Sequence, residues 1–130
     1  MATKNEIFSD IDLRFSKNPF NDRLNRKLNR EAVRQSVKSL ILTDYYERPF
    51  KSDIGCNIRH LLFELFTPAI KQIMEDAIRT TIKTYEPRAD LIAVLVEPYE
   101  DRNSITVSVA FMVQHDPDPV VLDVILERVR

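Results

Sequence analysis

The chain has 130 residues and a mass of 15.2 kDa, a length typical of one domain. Its 19 basic and 20 acidic residues nearly cancel and 44% of its residues are hydrophobic, which excludes intrinsic disorder as the default. No apolar run is long enough for a membrane span, and the first residues lack an apolar signal region. One cysteine and one glycine exclude an internal disulfide, a cysteine-rich zinc site and a glycine-rich phosphate loop. We therefore expect a single domain over 1–130, with 1–7 flexible, no membrane association and no export.

Alternating apolar residues within 7–28 predict two short strands. These residues are Ile11, Leu13, Phe15, Leu24 and Leu28. The next segment, 30–43, predicts a helix with Asn29 as its N-cap. The apolar face of this helix comprises Val33, Val37, Leu40 and Ile41.

A connection of about a dozen residues should follow the first helix and end at Gly55. Residues 57–66 then predict a short helix, with its apolar side chains directed inward at Ile58, Leu61, Leu62 and Leu65. Thr67 and Pro68 have the residue types of an N-cap and a first helical position. The clearest helical periodicity of the chain follows over 68–84, at Ile70, Ile73, Met74, Ala77, Ile78, Ile82 and Tyr85.

Strand patterns dominate the last third of the chain. Residues 91–97 are apolar on both faces, which predicts a central strand. Residues 105–113 alternate strictly, which is the strongest strand pattern in the sequence. Residues 120–129 fit a final strand, with a short helix as the alternative. Together the elements predict an α+β fold, with helices packed on one face of a small, mostly antiparallel sheet.

Three sets of residues could carry chemistry, but each has a simpler explanation. Glu64 is the one acid in a strongly apolar stretch, and no second carboxylate is spaced to complete a glycosidase pair. Cys56 and His60 could form a nucleophile–base pair, yet a lone cysteine is usually a small buried residue. His115, near Asp116 and Asp118, could bind a metal, although two prolines favour a polar turn. We therefore expect no catalytic residue, no metal and no cofactor.

Basic residues are concentrated between positions 14 and 38, where only Asp22 and Glu31 oppose them. They are Arg14, Lys17, Arg23, Arg26, Lys27, Arg30, Arg34 and Lys38. Such a segment could contact a phosphate backbone or an acidic protein. Only two aromatic residues are interleaved with it, which favours a solvated or protein-facing surface over nucleic-acid binding.

Glu86, Pro87 and Arg88 end the long helix. Proline fixes its own φ and favours an extended residue before it, so this corner should be stiff. One interpretation is a helix stop with an exposed ion pair of small energetic value. The other is a rigid contact to a partner, with Arg88 offering a bidentate fork to a carboxylate.

Several segments, taken in chain order, resemble the baseplate wedge family of contractile-tailed phages, which is shared with the type VI secretion baseplate. They are residues 29–36 (NREAVRQS), 42–43 (LT), 47–50 (ERPF), Gly55, 61–64 (LLFE), 85–88 (YEPR) and 126–129 (LERV). The resemblance covers nearly the whole chain from about residue 8.

The resemblance implies a structural protein of the virion tail baseplate, assembled in the host cytoplasm and not an enzyme. Its expected partners are other wedge proteins and the tail sheath subunit, in a sixfold assembly that initiates the sheath. It also implies that Glu86, Pro87 and Arg88 contact the wedge core. A sheet with unpaired edges could accept a strand from a sheath subunit, and the expected contact residues are Ile105, Val107, Val109, Val124, Leu126 and Arg128. The alternative from another class is a lysozyme-like peptidoglycan hydrolase.

Overall fold

A computed structural model describes residues 7–99 and 104–127 of the chain. Its two α-helices are α1 (Asn29–Leu42) and α2 (Pro68–Tyr85), and a 3₁₀ helix (Arg59–Phe63) lies between them. The strands are β1 (Ser9–Ile11), β2 (Arg26–Leu28), β3 (Ala89–Pro98), β4 (Ser104–Val113) and β5 (Pro119–Glu127). Neither α-helix in this part of the chain combines the length and apolar character needed to cross a bilayer.

Strands β1 and β2 pair antiparallel, which confirms two short strands near the N-terminus. The first strand ends at Ile11, however, so Leu13 and Phe15, predicted within it, lie after it. The predicted N-cap at Asn29 is wrong. Asn29 is the first residue of α1, and its Oδ1 instead accepts hydrogen bonds from the amides of Ile7 (2.8 Å) and Phe8 (3.1 Å). Asn29 therefore ties the N-terminal segment to the helix. Ile7 belongs to the segment expected to be flexible, but the rest of that segment lies outside the described residues.

The predicted cap of α2 is confirmed, because Thr67 Oγ1 accepts a hydrogen bond from the Ile70 amide at 3.3 Å and Pro68 opens the helix. The short helix before it is only the 3₁₀ turn. Within it, Leu62 is buried as expected, whereas Leu65 lies after the turn and is 81% exposed. The inward orientation predicted for Leu65 is therefore wrong, since the helix ends before it could turn that side chain toward the core.

Three antiparallel strands form the larger sheet, in the order β3-β4-β5. The final segment is thus a strand and not a helix. The central position predicted for 91–97 is wrong, since β4 is central and β3 lies at an edge. The sequence misled because Ile92 and Leu95 are apolar but exposed on the outer face of β3.

Both α-helices pack on one face of this sheet, which confirms the predicted α+β class. From α1 and α2 the core receives Val33, Val37, Ile41, Met74, Ile78 and Ile82. Every second residue of β4 and β5 points into the same core. Each fully buried aliphatic side chain of this kind contributes about 1.5–3 kcal/mol, so the alternation fixes which face each strand presents.

Candidate functional site

The corner after α2 is organised by an ion pair within the chain. Arg88 donates from Nε to Glu86 Oε1 at 2.7 Å and from Nη2 to Glu86 Oε2 at 2.9 Å. The Ser36 hydroxyl of α1 also donates to Glu86 Oε2. The Glu86 residue is only 2% exposed, so its carboxylate is a buried group whose hydrogen bonds come from inside the molecule.

The N-terminal strand covers the outer side of Arg88. Asp10 of β1 accepts a hydrogen bond from Arg88 Nη2 at 3.3 Å, and the guanidinium carbon lies 5.4 Å from the centre of the Phe8 ring. The hydrogen bonds to Glu86 raise the pKa of Arg88 above its ordinary value. The corner between α2 and β3 is thus joined to α1 through the Glu86 carboxylate and to β1 through the Arg88 guanidinium.

These contacts correct one part of the sequence interpretation. The Glu86 carboxylate was expected at the surface, but it is buried and already paired. Pro87 is exposed, and Arg88 keeps 24% of its side chain accessible. A contact of residues 86–88 with another protein stays a prediction, and only Pro87 and part of Arg88 could make it.

The residues expected to contact the sheath are placed in the core. Ile105, Val107, Val109, Val124 and Leu126 are each 8% exposed or less. Their side chains cannot touch a partner because the pleat directs them toward the helices. Arg128 lies outside the described residues. Contact between these strands and the sheath stays a prediction, but it must use the backbone of an edge strand or the outer face of the sheet.

At the β3 edge of the sheet, one outward backbone donor is already satisfied within the chain. The Val96 amide of β3 donates to Glu75 Oε1 of α2 at 3.1 Å, so a helix side chain satisfies a backbone donor on the outer side of this strand. The ladder between β3 and β4 is also irregular between Leu91 and Ala93. Bulges and covered donors are features by which edge strands avoid pairing with other chains.

The opposite edge, β5, presents backbone groups of known direction. In an antiparallel ladder, the N–H and C=O of one residue point to the same neighbour, and the direction alternates along the strand. The Val96 N–H points away from β4, so Val96 and its cross-strand partner Val107 do not bond to each other through their backbones. Val107 therefore directs its N–H and C=O toward β5. Val107 pairs with Val124, so the adjacent Asp123 and Ile125 direct their N–H and C=O groups outward. Over the described ranges, these outward groups have no hydrogen-bond partner.

We call the outward backbone of Asp123 and Ile125, with the neighbouring Val121, the β5 edge. The Val121 and Ile125 residues are 59% and 50% exposed, and Asp123 is also exposed. These three residues are absent from the predicted contacts, which comprise inward-facing positions of the same strands. The available signal was Asp123, the one polar residue in 120–126, because Val121 and Ile125 lie two positions away and share its face of the strand.

The residues considered for chemistry have ordinary structural roles. Burial raises the pKa of the Cys56 thiol to about 11, so this side chain is not a thiolate at neutral pH. His60 and Glu64 are exposed, and Glu64 therefore lacks the apolar enclosure of a glycosidase acid. Asp116 accepts two hydrogen bonds from Arg30, at 2.8 and 2.9 Å. In 7–99 and 104–127, no group of three or more His, Cys, Asp and Glu side chains is arranged to hold a metal.

Comparison with known proteins places this geometry in a family. The family model described as "Baseplate wedge protein gp25" matches residues 28–118. The baseplate wedge protein gp25 of Enterobacteria phage T4 is 34% identical over 120 residues, which cover 92% of this chain and 90% of that protein.

Solved structures share the fold at lower identity. A candidate tail lysozyme from Geobacter sulfurreducens superposes with a TM-score of 0.70 at 20% identity, covering 77% of this chain and 91% of that one. A chain of the sixfold-symmetrised baseplate of the anti-feeding prophage gives 0.66 at 20% identity, covering 95% and 87%. A chain of the postcontracted pyocin R2 baseplate gives 0.56 at 17% identity, covering 85% and 97%. On the family model and the T4 relative, this chain belongs to the baseplate wedge protein gp25 family.

Proposed function

We propose that this protein is a structural component of a contractile-tail baseplate, which binds other wedge proteins and initiates the tail sheath by accepting a strand on the β5 edge. The proposal places several copies in a sixfold assembly and assigns them no enzymatic reaction. Family membership supports the baseplate role. The outward N–H and C=O groups of Asp123 and Ile125 carry the proposed strand acceptance, because unpaired edge groups are the template for strand addition.

The difference between the two sheet edges supports this choice. Glu75 occupies a donor of β3, and the ladder beside it is irregular. The β5 edge has neither feature, and its ladder with β4 is regular over nine residue pairs. A chain that only avoided aggregation would gain from protecting both edges.

A proline at position 123 tests the strand acceptance. Asp123→Pro removes one outward N–H but keeps the bonds of β5 to β4, since proline is tolerated where the N–H faces out of the sheet. Asp123→Ala is the matched control: it also loses the Asp123–Ser108 hydrogen bond but keeps the N–H. We expect reconstituted baseplates with Asp123→Pro to start at least tenfold fewer sheaths than those with Asp123→Ala. Normal sheath growth from a folded Asp123→Pro protein would refute strand addition at this edge.

The corner at residues 86–88 is proposed as the contact to the wedge core. Pro87 is the exposed, rigid part of it, while Glu86 and Arg88 hold it in place. We expect Pro87→Ala to reduce the recovery of wedge proteins several-fold without changing the fold. Pro98→Ala, at another exposed proline, should recover wild-type amounts. Equal recovery by both variants would remove this corner from the interface.

A further inference from the structure

A groove of about 550 Å³ runs between α1 and β5, beside the proposed strand-acceptor edge. Leu122 and Asp123 line it from β5, and Leu42 lines it from α1. Its far wall is the segment that follows β1, and Gln35 of α1 holds this segment in place. The Leu13 amide donates to Gln35 Oε1 at 3.1 Å, and Gln35 Nε2 donates to the carbonyl of Ile11, the last residue of β1, at 2.9 Å. The groove is therefore built by ordered elements of the chain.

Four basic and three acidic side chains line this groove, which gives it a slight excess of positive charge. Arg34 and Lys38 lie one helical turn apart on the exposed side of α1, and Arg14 faces them from the opposite wall. None of these three side chains forms an ion pair with a carboxylate in the described parts of the chain. A fourth base, Lys27, is 3.9 Å from Asp12. Glu31 and Asp123 also line the groove, so the three basic side chains without an ion pair outnumber these two acidic ones.

A second, mostly apolar groove adjoins it toward the C-terminal end of β5, and its charged lining residues are Arg59 and Glu127. This second groove, of about 450 Å³, shares Leu42 with the first and is also lined by Phe63 and Ile125. Phe63 is 61% exposed. A strand added to the β5 edge would lie along both grooves, basic near Asp123 and apolar near Ile125.

We infer that the partner strand bound at the β5 edge is an extended peptide segment with acidic side chains at one end and an apolar side chain at the other. This inference rests on the proposed strand acceptance and adds the chemistry of the segment. Acidic side chains would meet the unpaired Arg14, Arg34 and Lys38, and the apolar one would cover Phe63 and Leu42. Such complementarity selects a partner and fixes the register in which its strand pairs.

A nucleic-acid strand fits these surfaces less well. Its phosphates could pair with Arg14, Arg34 and Lys38. Only a peptide backbone, however, could bond in register to the N–H and C=O groups of Asp123 and Ile125. No aromatic side chain lines the basic groove within the described chain, so a base would have no stacking surface there.

Synthetic peptides of about ten residues test the inference with the full-length protein. Each alternates Val and Thr, with two Glu near one end, and versions with Glu near either terminus cover both strand directions. Control peptides carry Lys in place of Glu, and a single-stranded oligonucleotide tests nucleic acid. At low ionic strength, we expect one Glu peptide to bind at least tenfold tighter than its Lys counterpart and to shift the amide signals of Asp123 and Ile125.

Charge reversal locates the binding. Arg34→Glu with Lys38→Glu should weaken the Glu peptide about tenfold, whereas Arg48→Glu with Lys51→Glu, an equal charge change on an exposed loop, should leave it unchanged. Equal binding of Glu and Lys peptides, an equal effect of both double variants, or tighter binding of the oligonucleotide would overturn the inference.

If baseplates with Asp123→Pro lose the sheath while Arg34 and Lys38 prove irrelevant to peptide binding, only this inference fails. If the Glu peptide binds as expected but Asp123→Pro baseplates grow a normal sheath, the proposed function fails instead.

Discussion

Glu86 is a buried carboxylate whose charge is maintained by its neighbours. Burial alone would raise its pKa, but the hydrogen bonds from Arg88 and Ser36, together with the charge of Arg88, outweigh burial and hold that pKa below its ordinary value of 4.5. A carboxyl group whose pKa is lower in the folded chain stabilises the fold above its unfolded pKa. This stabilisation is lost as the pH falls through the folded pKa.

Glu86→Gln tests this linkage. At pH 7 the variant should be less stable than wild type by about 1–2 kcal/mol, since a hydrogen bond to a charged group is replaced by a neutral one. The difference should shrink as the pH falls below about 4.5, because Glu86 is protonated first in the unfolded chain and becomes neutral in the folded chain only below its own, lower pKa. Urea unfolding between pH 7 and pH 3 measures this, with Glu97→Gln at an exposed position as the control. A difference that stays constant over this range would show that the charge of Glu86 does not stabilise the fold.

The sequence could identify residue 86 as the end of a helix but not as a buried acid. The helix stop follows from local chemistry, because proline restricts the residue before it. The burial comes from contacts with Ser36 and Asp10, which lie 50 and 78 positions away from their partners Glu86 and Arg88. No periodicity or spacing rule encodes such a pairing.

Periodicity in the sequence predicts the type of a helix or strand and the face that it buries. It does not predict which elements become its neighbours. The stripe of α2 and the alternation of β4 each contain a full repeat, so element type and inward face followed, except at Ile73, which is 51% exposed. The place of β3 at an edge could not be predicted, because its exposed Ile92 and Leu95 resemble the apolar residues of a central strand. Apolar residues on the two faces of β5 also look alike in the sequence. The predicted strand contacts are therefore buried residues, and the accessible Val121 and Ile125 are not among them.

The two edges of the sheet also require different explanations. The closure of β3 depends on one carboxylate, Glu75, which α2 places beside the Val96 amide. In the sequence, Glu75 is one acidic residue among the polar positions of a helix, so it cannot be distinguished from an ordinary surface residue. The sequence predicted only that the sheet has an unpaired edge. The strand register was needed to place that edge at β5 and to identify Asp123 and Ile125 as its outward residues.

For the whole molecule, an open edge raises the question of why two copies should not pair with each other. If two β5 strands paired antiparallel about a twofold axis normal to the sheet, both helix layers would lie on the same side. The two α1 helices would then face each other across the seam, and Arg34 and Lys38 of each would approach the same side chains of the other copy. Like charges brought together in this way disfavour the pair, so we expect Arg34 and Lys38 to oppose self-association as well as to attract an acidic segment.

Mixing experiments test this exclusion. Wild-type protein and the Arg34→Glu, Lys38→Glu double variant should each remain monomeric at low ionic strength, since each repels its own kind. An equimolar mixture should form a heterodimer, because the opposed side chains then attract, and added salt should dissociate it. Sedimentation of the separate and mixed proteins measures this, and adding Asp123→Pro to either partner should abolish the heterodimer. A mixture that stays monomeric, or a wild-type protein that dimerises as readily alone, would show that these charges do not control access to the β5 edge.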